Sequence, residues 1–293
     1  MNENIQTEGE QLKIAYSGIV GAFAHNAAVK IFPGAKYVAK RSFAEVYSSV
    51  SKGECAYGVL PIENSYAGEV GQSIDLMFKG NLKVSGLYYL PITQNLLGVK
   101  GAVKEDIKTV VSHSMALEQC LEYIEQHGFA RQEESNTAVA ARKVAGMNDR
   151  SVAAIASIET ADLYGLTVLE KEINKSEQNT TKFAVISRDG VEIPKSPLLR
   201  CKNAGTDGII MMMFTVDNVA GALVKAIEVV GRYGYNMRTL RSRPMHNLPF
   251  EYYFYVEATG DILDGNPEKM QEEMGKWCTD VKILAKLHKE EEI

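Results

Sequence analysis

The sequence predicts a two-part α/β chain: a mostly parallel, doubly wound region over residues 12–190, then a β-α-β-β-α-β unit over residues 207–290. Three observations carry this. Up to about residue 190, short β-rich runs alternate with helical patterns, which implies a parallel sheet covered by helices. Residues 191–206, inside "RDGVEIPKSPLLRCKNAGTDG", are rich in Gly, Pro and polar residues and lack periodicity, so they read as a linker. Beyond them the element order is that of a ferredoxin-like unit.

The elements follow in order. "KIAYSG" is a strand and leads into a helix from about Ala22 to Ile31. "YVAK" is the next strand, and Ser42 offers a hydroxyl to cap the helix after it. "AYGVLPI" is a buried strand ending on the turn "ENSYAGEVG". The strand-rich stretch over residues 82–98 is expected to cross between two lobes, with a return crossing near residues 170–182. That division gives a first lobe of about 12–85 plus 181–190 and a second of about 86–180. Within the second lie "IKTVVSH", one helix "SMALEQCLEYIEQH" closed by Gly128, a helix from Asn136, and "SVAAIAS". "TKFAVIS" returns to the first lobe. In the C-terminal unit the strands are "IIMMMFTV", "NMRTLRSRPM", "FEYYFYVEAT" and "VKILAKLH". Its helices are "AGALVKAIEVVGRYG" and "NPEKMQEEMGKWC", the latter with Asn266 as cap and Pro267 in the first turn.

Composition narrows the functions. With 45% hydrophobic and 24% charged residues the 293-residue chain is ordinary and globular. A net charge of −5 with no basic stripe argues against nucleic acid or an anionic membrane as partner. Cys55, Cys120, Cys201 and Cys278 are widely spaced, without CxxC or metal spacing, and read as reduced thiols of a cytoplasmic protein. No apolar signal core stands near the N-terminus, and the longest apolar run, "IIMMMF", is far shorter than the ~20 residues of a membrane span.

Candidate chemistry gathers at strand ends, where open α/β sheets bind ligands. After the first strand, "GIVGAF" has no GxGxxG or P-loop pattern. The backbone amides of Gly21, Ala22 and Phe23, at a helix start, could hold an anion such as a carboxylate. Glu63, Asn64 and Ser65 close the third strand, and Ser112 precedes a helix carrying Gln119. His113 and His25 read as structural. "NTTKF", Asn179 to Phe183, joins this polar set. No Ser–His–Asp set, paired carboxylates or metal cluster is visible. Such a cleft suits a reaction whose driving force lies in the substrate.

These residues resemble the prephenate dehydratase family over nearly the whole chain. The matching blocks are "IAYSGIVGAFAHNAA", "YGVLPIENSYAGEV", "VVSHSMALEQC", "SNTAVAA", "AAIAS", "YGL" and "NTTKF". "GALVKAIEVVGRYGYNMRTLRSRP" and "EYYFYVEATG" are similar to the regulatory ACT domain that follows the family's catalytic domain. The resemblance implies a two-lobed, periplasmic-binding-protein-like catalytic domain with the active site in its cleft. It implies loss of water and CO2 from prephenate to give phenylpyruvate for phenylalanine synthesis, with no cofactor and no metal. Arogenate, the amino analogue, is the alternative substrate, and a decayed ligand-binding homologue the alternative of another class. By resemblance, Thr181 is the proton donor, with Glu63, Asn64, Ser112 and Gln119 as further catalytic positions. Gly21, Ala22, Phe23, Ser65, Lys182 and Phe183 are expected to contact substrate. Phenylalanine is expected as effector at Gly221, Ala222, Leu223, Ser242, Arg243 and Pro244, in a homodimer or homotetramer paired through ACT domains. No mutase domain is read before residue 12, so prephenate is expected to arrive from elsewhere.

The chain departs from the family pattern in places. Lys182 stands where arginine is usual, and lysine lacks the bidentate fork. Ala22 and Ala24 replace hydroxyl residues, and Arg241 replaces the glutamate before Ser242-Arg243-Pro244.

Overall fold

The computed structural model describes residues 11–174, 179–190, 193, 200–201, 208–245, 248–263 and 265–293. Most of the expected linker 191–206 lies outside them. The first lobe comprises β1 (Lys13–Ser17), α1 (Phe23–Ile31), β2 (Lys36–Lys40), α2 (Phe43–Ser51), β3 (Tyr57–Asn64), β4 (Gly68–Glu69), α3 (Gly71–Lys79) and β5 (Lys83–Pro91). The second holds β6 (Asn95–Gly98), β7 (Thr109–Ser112), α4 (Ser114–Gln119), α5 (Leu121–His127), β8 (Ala130–Glu133), α6 (Thr137–Met147), β9 (Val152–Ala156), α7 (Ile158–Tyr164) and β10 (Thr167–Glu170). Then β11 (Thr180–Ser187) rejoins the first sheet, and β12 (Arg200–Cys201) is a short piece of the expected linker. The C-terminal unit is β13 (Gly208–Val216), α8 (Ala222–Arg232), β14 (Asn236–Pro244), β15 (Tyr252–Gly260), α9 (Pro267–Met274) and β16 (Cys278–Leu287), followed by β17 (Glu291–Glu292).

The class is α/β, but the lobes' sheets are mixed, not mostly parallel. The orders are β12-β17-β5-β11-β3-β1-β2 and β10-β6-β9-β7-β8. Parallel pairing joins β1 to β2 and β3, and β7 to β8 and β9. The strands flanking the two crossings, β5, β11, β6 and β10, pair antiparallel. The first lobe also extends further than expected. β5 pairs with β11 as far as Pro91, so the crossing is confined to residues 92–94, and β17 adds the chain's end to the first sheet. The two crossings are stitched together: Ile92 N–H donates to the Asn179 carbonyl, and Ile173 N–H to that of Gln94.

Local signals explain most elements. Ser42 Oγ accepts from Glu45 N–H, Asn136 Oδ1 from Ala138 N–H, and Gly128 closes α5 in the left-handed region. The single helix expected after Ser112 is two, broken at Cys120, whose backbone leaves helical geometry (φ −104°, ψ 12°). Pro267 occupies the first turn of α9, while Asn266 adopts left-handed backbone and places no side chain on that helix end. The C-terminal sheet, β14-β15-β13-β16, is the expected antiparallel βαββαβ arrangement.

One core spans the junction of first lobe and C-terminal unit. Ile209, Met211 and Met213 of β13 pack with Leu60, Ile62, Met77 and Val84, whereas Ile210, Met212 and Phe214 face α8 and α9. That double burial explains why "IIMMMF" is apolar at every position. Among the described residues no helix is long and apolar enough to cross a membrane.

Candidate active site

Between the lobes lies a cavity of about 310 Å³, walled by Thr181, Phe183, Asn64, Gln119, Ala22, Phe23, Gln94 and Asn136 among others. Among the described residues its lining contains no Lys, Arg, Asp or Glu. Away from the crossings in sequence the lobes also touch: Tyr164 O–H donates to the Val20 carbonyl (2.8 Å) and Asn26 Nδ2 to Ser157 Oγ (3.2 Å).

A chain of amides orients the polar wall. Asn64 Oδ1 accepts from the backbone N–H groups of Tyr66 (3.0 Å) and Ala67 (2.8 Å), which fixes its amide orientation. Its Nδ2 therefore faces Thr181 Oγ1 (3.0 Å) and Asn179 Oδ1 (2.8 Å). Asn179 Nδ2 in turn donates to Gln119 Oε1 (2.9 Å). Because Thr181 Oγ1 already accepts a hydrogen bond, its own O–H is left to donate. Gln119 likewise keeps its NH₂ for a ligand.

Helix ends supply positive potential at the cavity. α1 and α3 begin at the cavity beside Ala22 and Val70, neither with a side-chain cap, and α6 begins beside Asn136. The first amides of a helix lack intrahelical acceptors, and its dipole adds roughly half a positive charge there. A carboxylate fits such a surface.

Residues 14–191 match the family model "Prephenate dehydratase". The chain belongs to this family. It is 31% identical over 278 residues to a bifunctional chorismate mutase/prephenate dehydratase of Aquifex aeolicus, covering 94% of this chain and 73% of that protein. It is 30% identical over 291 residues to arogenate dehydratase/prephenate dehydratase 1, chloroplastic, of Arabidopsis thaliana, covering 94% and 72%. In fold it matches the prephenate dehydratase of Arthrobacter aurescens solved in complex with L-Phe, with a TM-score of 0.79 at 23% identity over 94% and 89% of the two chains. As a member of the family the protein is a dehydratase, a lyase acting on prephenate and converting it to phenylpyruvate with loss of water and CO2.

Several residues expected at the site stand elsewhere. Strand alternation turns Lys182 to the far face of β11, where it is 5% exposed and meets Glu257 and, at 3.3 Å, Glu290. Its position departs from family pattern, yet it touches no part of the cavity. Burial alone would lower the Lys182 pKa, but the two carboxylates hold it above the ordinary lysine value. Burial would raise Glu290, and Lys182, Tyr89 and Arg238 bring it below the ordinary carboxylate value. Glu63 is likewise turned away, paired with Arg241, which also reaches Glu69 (3.3 Å). The unusual Arg241 thus has carboxylate partners waiting on the first lobe.

Ser112 is fully buried, and its Oγ donates to the Ile155 carbonyl (2.5 Å), so its hydroxyl is already committed. Ser65 is exposed and accepts from Thr180 N–H (2.9 Å), holding the turn to β11. Gly21 stands behind the wall, with φ 90° and its N–H on His25 Nδ1 (3.3 Å). A Cβ there would lie 2.9 Å from Thr160 Cγ2 of the other lobe, so glycine is needed for the lobes to meet. His113 lines the cavity while accepting from Met115 N–H at the start of α4.

Of the residues expected to bind effector, Gly221 opens α8 with left-handed backbone (φ 84°), followed by Ala222 and Leu223, and Ser242 and Pro244 lie on β14. Arg243 grips the first lobe through Glu69 (2.8 Å) and Asp75 (3.0 Å). A Cβ on Gly71 would collide with its guanidinium. Cavity residues that sequence reasoning passed over include Gln94, Ser135 and Asn136, and Asn179 completes the amide chain. Asn136 was legible as a helix cap, and Asn179 as the opening of "NTTKF"; Gln94 carried no signal. Among the described residues no trio of His, Cys, Asp or Glu is placed to hold a metal ion.

Proposed function

We propose that Thr181 is the acid of the dehydratase, hydrogen-bonding the 4-hydroxyl of prephenate as it departs. The ring carboxylate leaves as CO2, its bonding electrons close the aromatic ring, the C–O bond breaks, and the leaving hydroxide takes the Thr181 O–H proton to depart as water, a proton that solvent returns to the threonine oxygen. Aromatisation drives the step, so the protein's task is orientation and stabilisation of charge on the leaving oxygen. A threonine hydroxyl is a weak acid, so its effect comes chiefly from hydrogen bonding to the leaving oxygen. The observation carrying this reading is that Asn64 donates to Thr181 Oγ1, leaving the threonine O–H to donate. Gln119 and the starts of α1 (Ala22, Phe23), α3 and α6 bind the carboxylates, and Phe183 flanks the ring. Purified protein should form phenylpyruvate from prephenate. No turnover, or undiminished turnover in Thr181→Ala, would sink the assignment.

We also read residues 12–190 as the catalytic domain and 207–290 as an ACT domain that senses phenylalanine near Gly221–Leu223 and Ser242. Its route to the cleft would run through Arg241 and Arg243, which hold the β3–β4 turn beside Asn64. Millimolar phenylalanine should raise the melting temperature and change turnover; no response in either would remove this reading. Among the described residues β14 is an edge strand of its sheet, which suits association of ACT domains into a homodimer or homotetramer, to be read by sedimentation. The composition suits a cytoplasmic enzyme, which cell fractionation tests.

A further inference from the structure

Asn179 stands at the end of the return crossing, just before β11, and ties polar residues of both lobes together. It is 2% exposed and is not among the residues lining the cavity. Its carbonyl accepts from Ile92 N–H (2.7 Å) on the other crossing, which anchors its backbone. Its side chain joins Asn64, at the end of β3 in the first lobe, to Gln119, at the end of α4 in the second. The link has one direction. The N–H groups of Tyr66 and Ala67 can only donate, so Asn64 Oδ1 accepts and its Nδ2 meets Asn179 Oδ1 (2.8 Å). Asn179 Nδ2 then meets Gln119 Oε1 (2.9 Å), and the hydrogens of Gln119 take no part in the link. A polarity set by a backbone turn of one lobe thus reaches an amide of the other. If Asn179 could not donate, Gln119 would turn its Nε2 to it and its oxygen the other way.

We propose that Asn179 is a positioning residue of the dehydratase. It holds the Gln119 amide with its NH₂ left for a substrate carboxylate, and it holds Asn64 against Thr181. This rests on the dehydratase reading of the cavity. Asn179 touches no substrate and acts through its two amide neighbours. The orientation matters because an amide oxygen repels a carboxylate, whereas an amide NH₂ donates to it.

The test is Asn179→Asp over a pH series. The ionised carboxylate still accepts from Asn64 but has no hydrogen for Gln119, so at high pH kcat should fall roughly tenfold, more than KM changes. Burial raises the pKa of a carboxyl, and the protonated form regains a hydrogen to donate to Gln119. The ratio of variant to wild-type kcat should therefore climb as pH falls from about 9 to about 6. A ratio that does not vary with pH, whether near one or far below it, would overturn the assignment. In a Gln119→Ala background the same substitution should cost less than about twofold, because its effect runs through Gln119; losses that simply multiply would also overturn it. If Asn179→Asp does not fold, Asn179→Ala takes its place in that cycle, and the combined loss should be smaller than the product of the single ones. Wild-type turnover tests the dehydratase reading separately. If wild type formed no phenylpyruvate, calorimetric titration of both proteins with prephenate over the same pH series would still decide the role of Asn179. An affinity ratio that shifts with pH would support it, and a constant ratio would overturn it.

Discussion

The two faces of β11 and β3 make opposite use of polarity. On the cleft face stand Thr181 and Asn64, neutral and hydrogen-bonded to each other, in a cavity whose lining among the described residues holds no Lys, Arg, Asp or Glu. One residue away on each strand, Lys182 and Glu63 face the C-terminal unit and join a dense set of ion pairs with Glu257, Glu290 and Arg241. The cleft has to receive and release a charged ligand, and partial charges on amides and helix ends do this without competing counter-ions. The joint has to hold two units in one register, and buried charge pairs tolerate few alternatives. Residues adjacent in sequence therefore divide between the cleft wall and the joint.

Breaking the joint should have the largest effect. Lys182→Met leaves Glu257 and Glu290 without their shared cation and should cost about 3–5 kcal/mol in denaturant unfolding, with KM of the folded protein little changed. A stable Lys182→Met protein without activity would dissolve the contrast. On the cleft face, Thr181→Val should lower kcat about 100-fold at nearly unchanged melting temperature, and Thr181→Ser should recover part of it. Asn179→Asp sharpens the comparison, because it keeps the acceptor for Asn64 but loses the donor to Gln119. A fall of roughly tenfold in kcat, larger than the change in KM, is expected from that break in the amide chain. Arg243→Gln removes a partly exposed pair with Glu69 and Asp75 and should cost about 1 kcal/mol, less in high salt.

The smallest effect is in pH. Glu290 titrates below the ordinary carboxylate value of 4.5 in the folded chain, so the unfolded chain binds its proton first as pH falls. Its stabilisation is present above that value and is lost as pH drops through the folded pKa. Melting temperature should fall less steeply below pH 4.5 in Glu290→Gln than in wild type; equal slopes would remove Glu290 from the account.

Much of the fold was legible because it rests on local signals. Strand–helix alternation, the caps at Ser42 and Asn136, the Gly128 stop and the βαββαβ order all follow from backbone preferences and hydrophobic period. The antiparallel crossings were not legible, because strand direction in a shared sheet depends on how the chain returns from the other lobe. At the site, the sequence by itself determined that Thr181 and Asn64 come to strand ends, while it left Lys182 among the expected substrate contacts and Gln119 inside a continuous helix. Tertiary structure alone decided that Ser112 spends its hydroxyl on Ile155, that Glu63 turns to Arg241, and that Asn179 bridges Asn64 to Gln119. It also left Gln94 Oε1 buried without a hydrogen-bond partner among the described residues. A side chain's type is written in the chain, but its hydrogen-bond partner comes from residues that only folding brings within 3 Å or so.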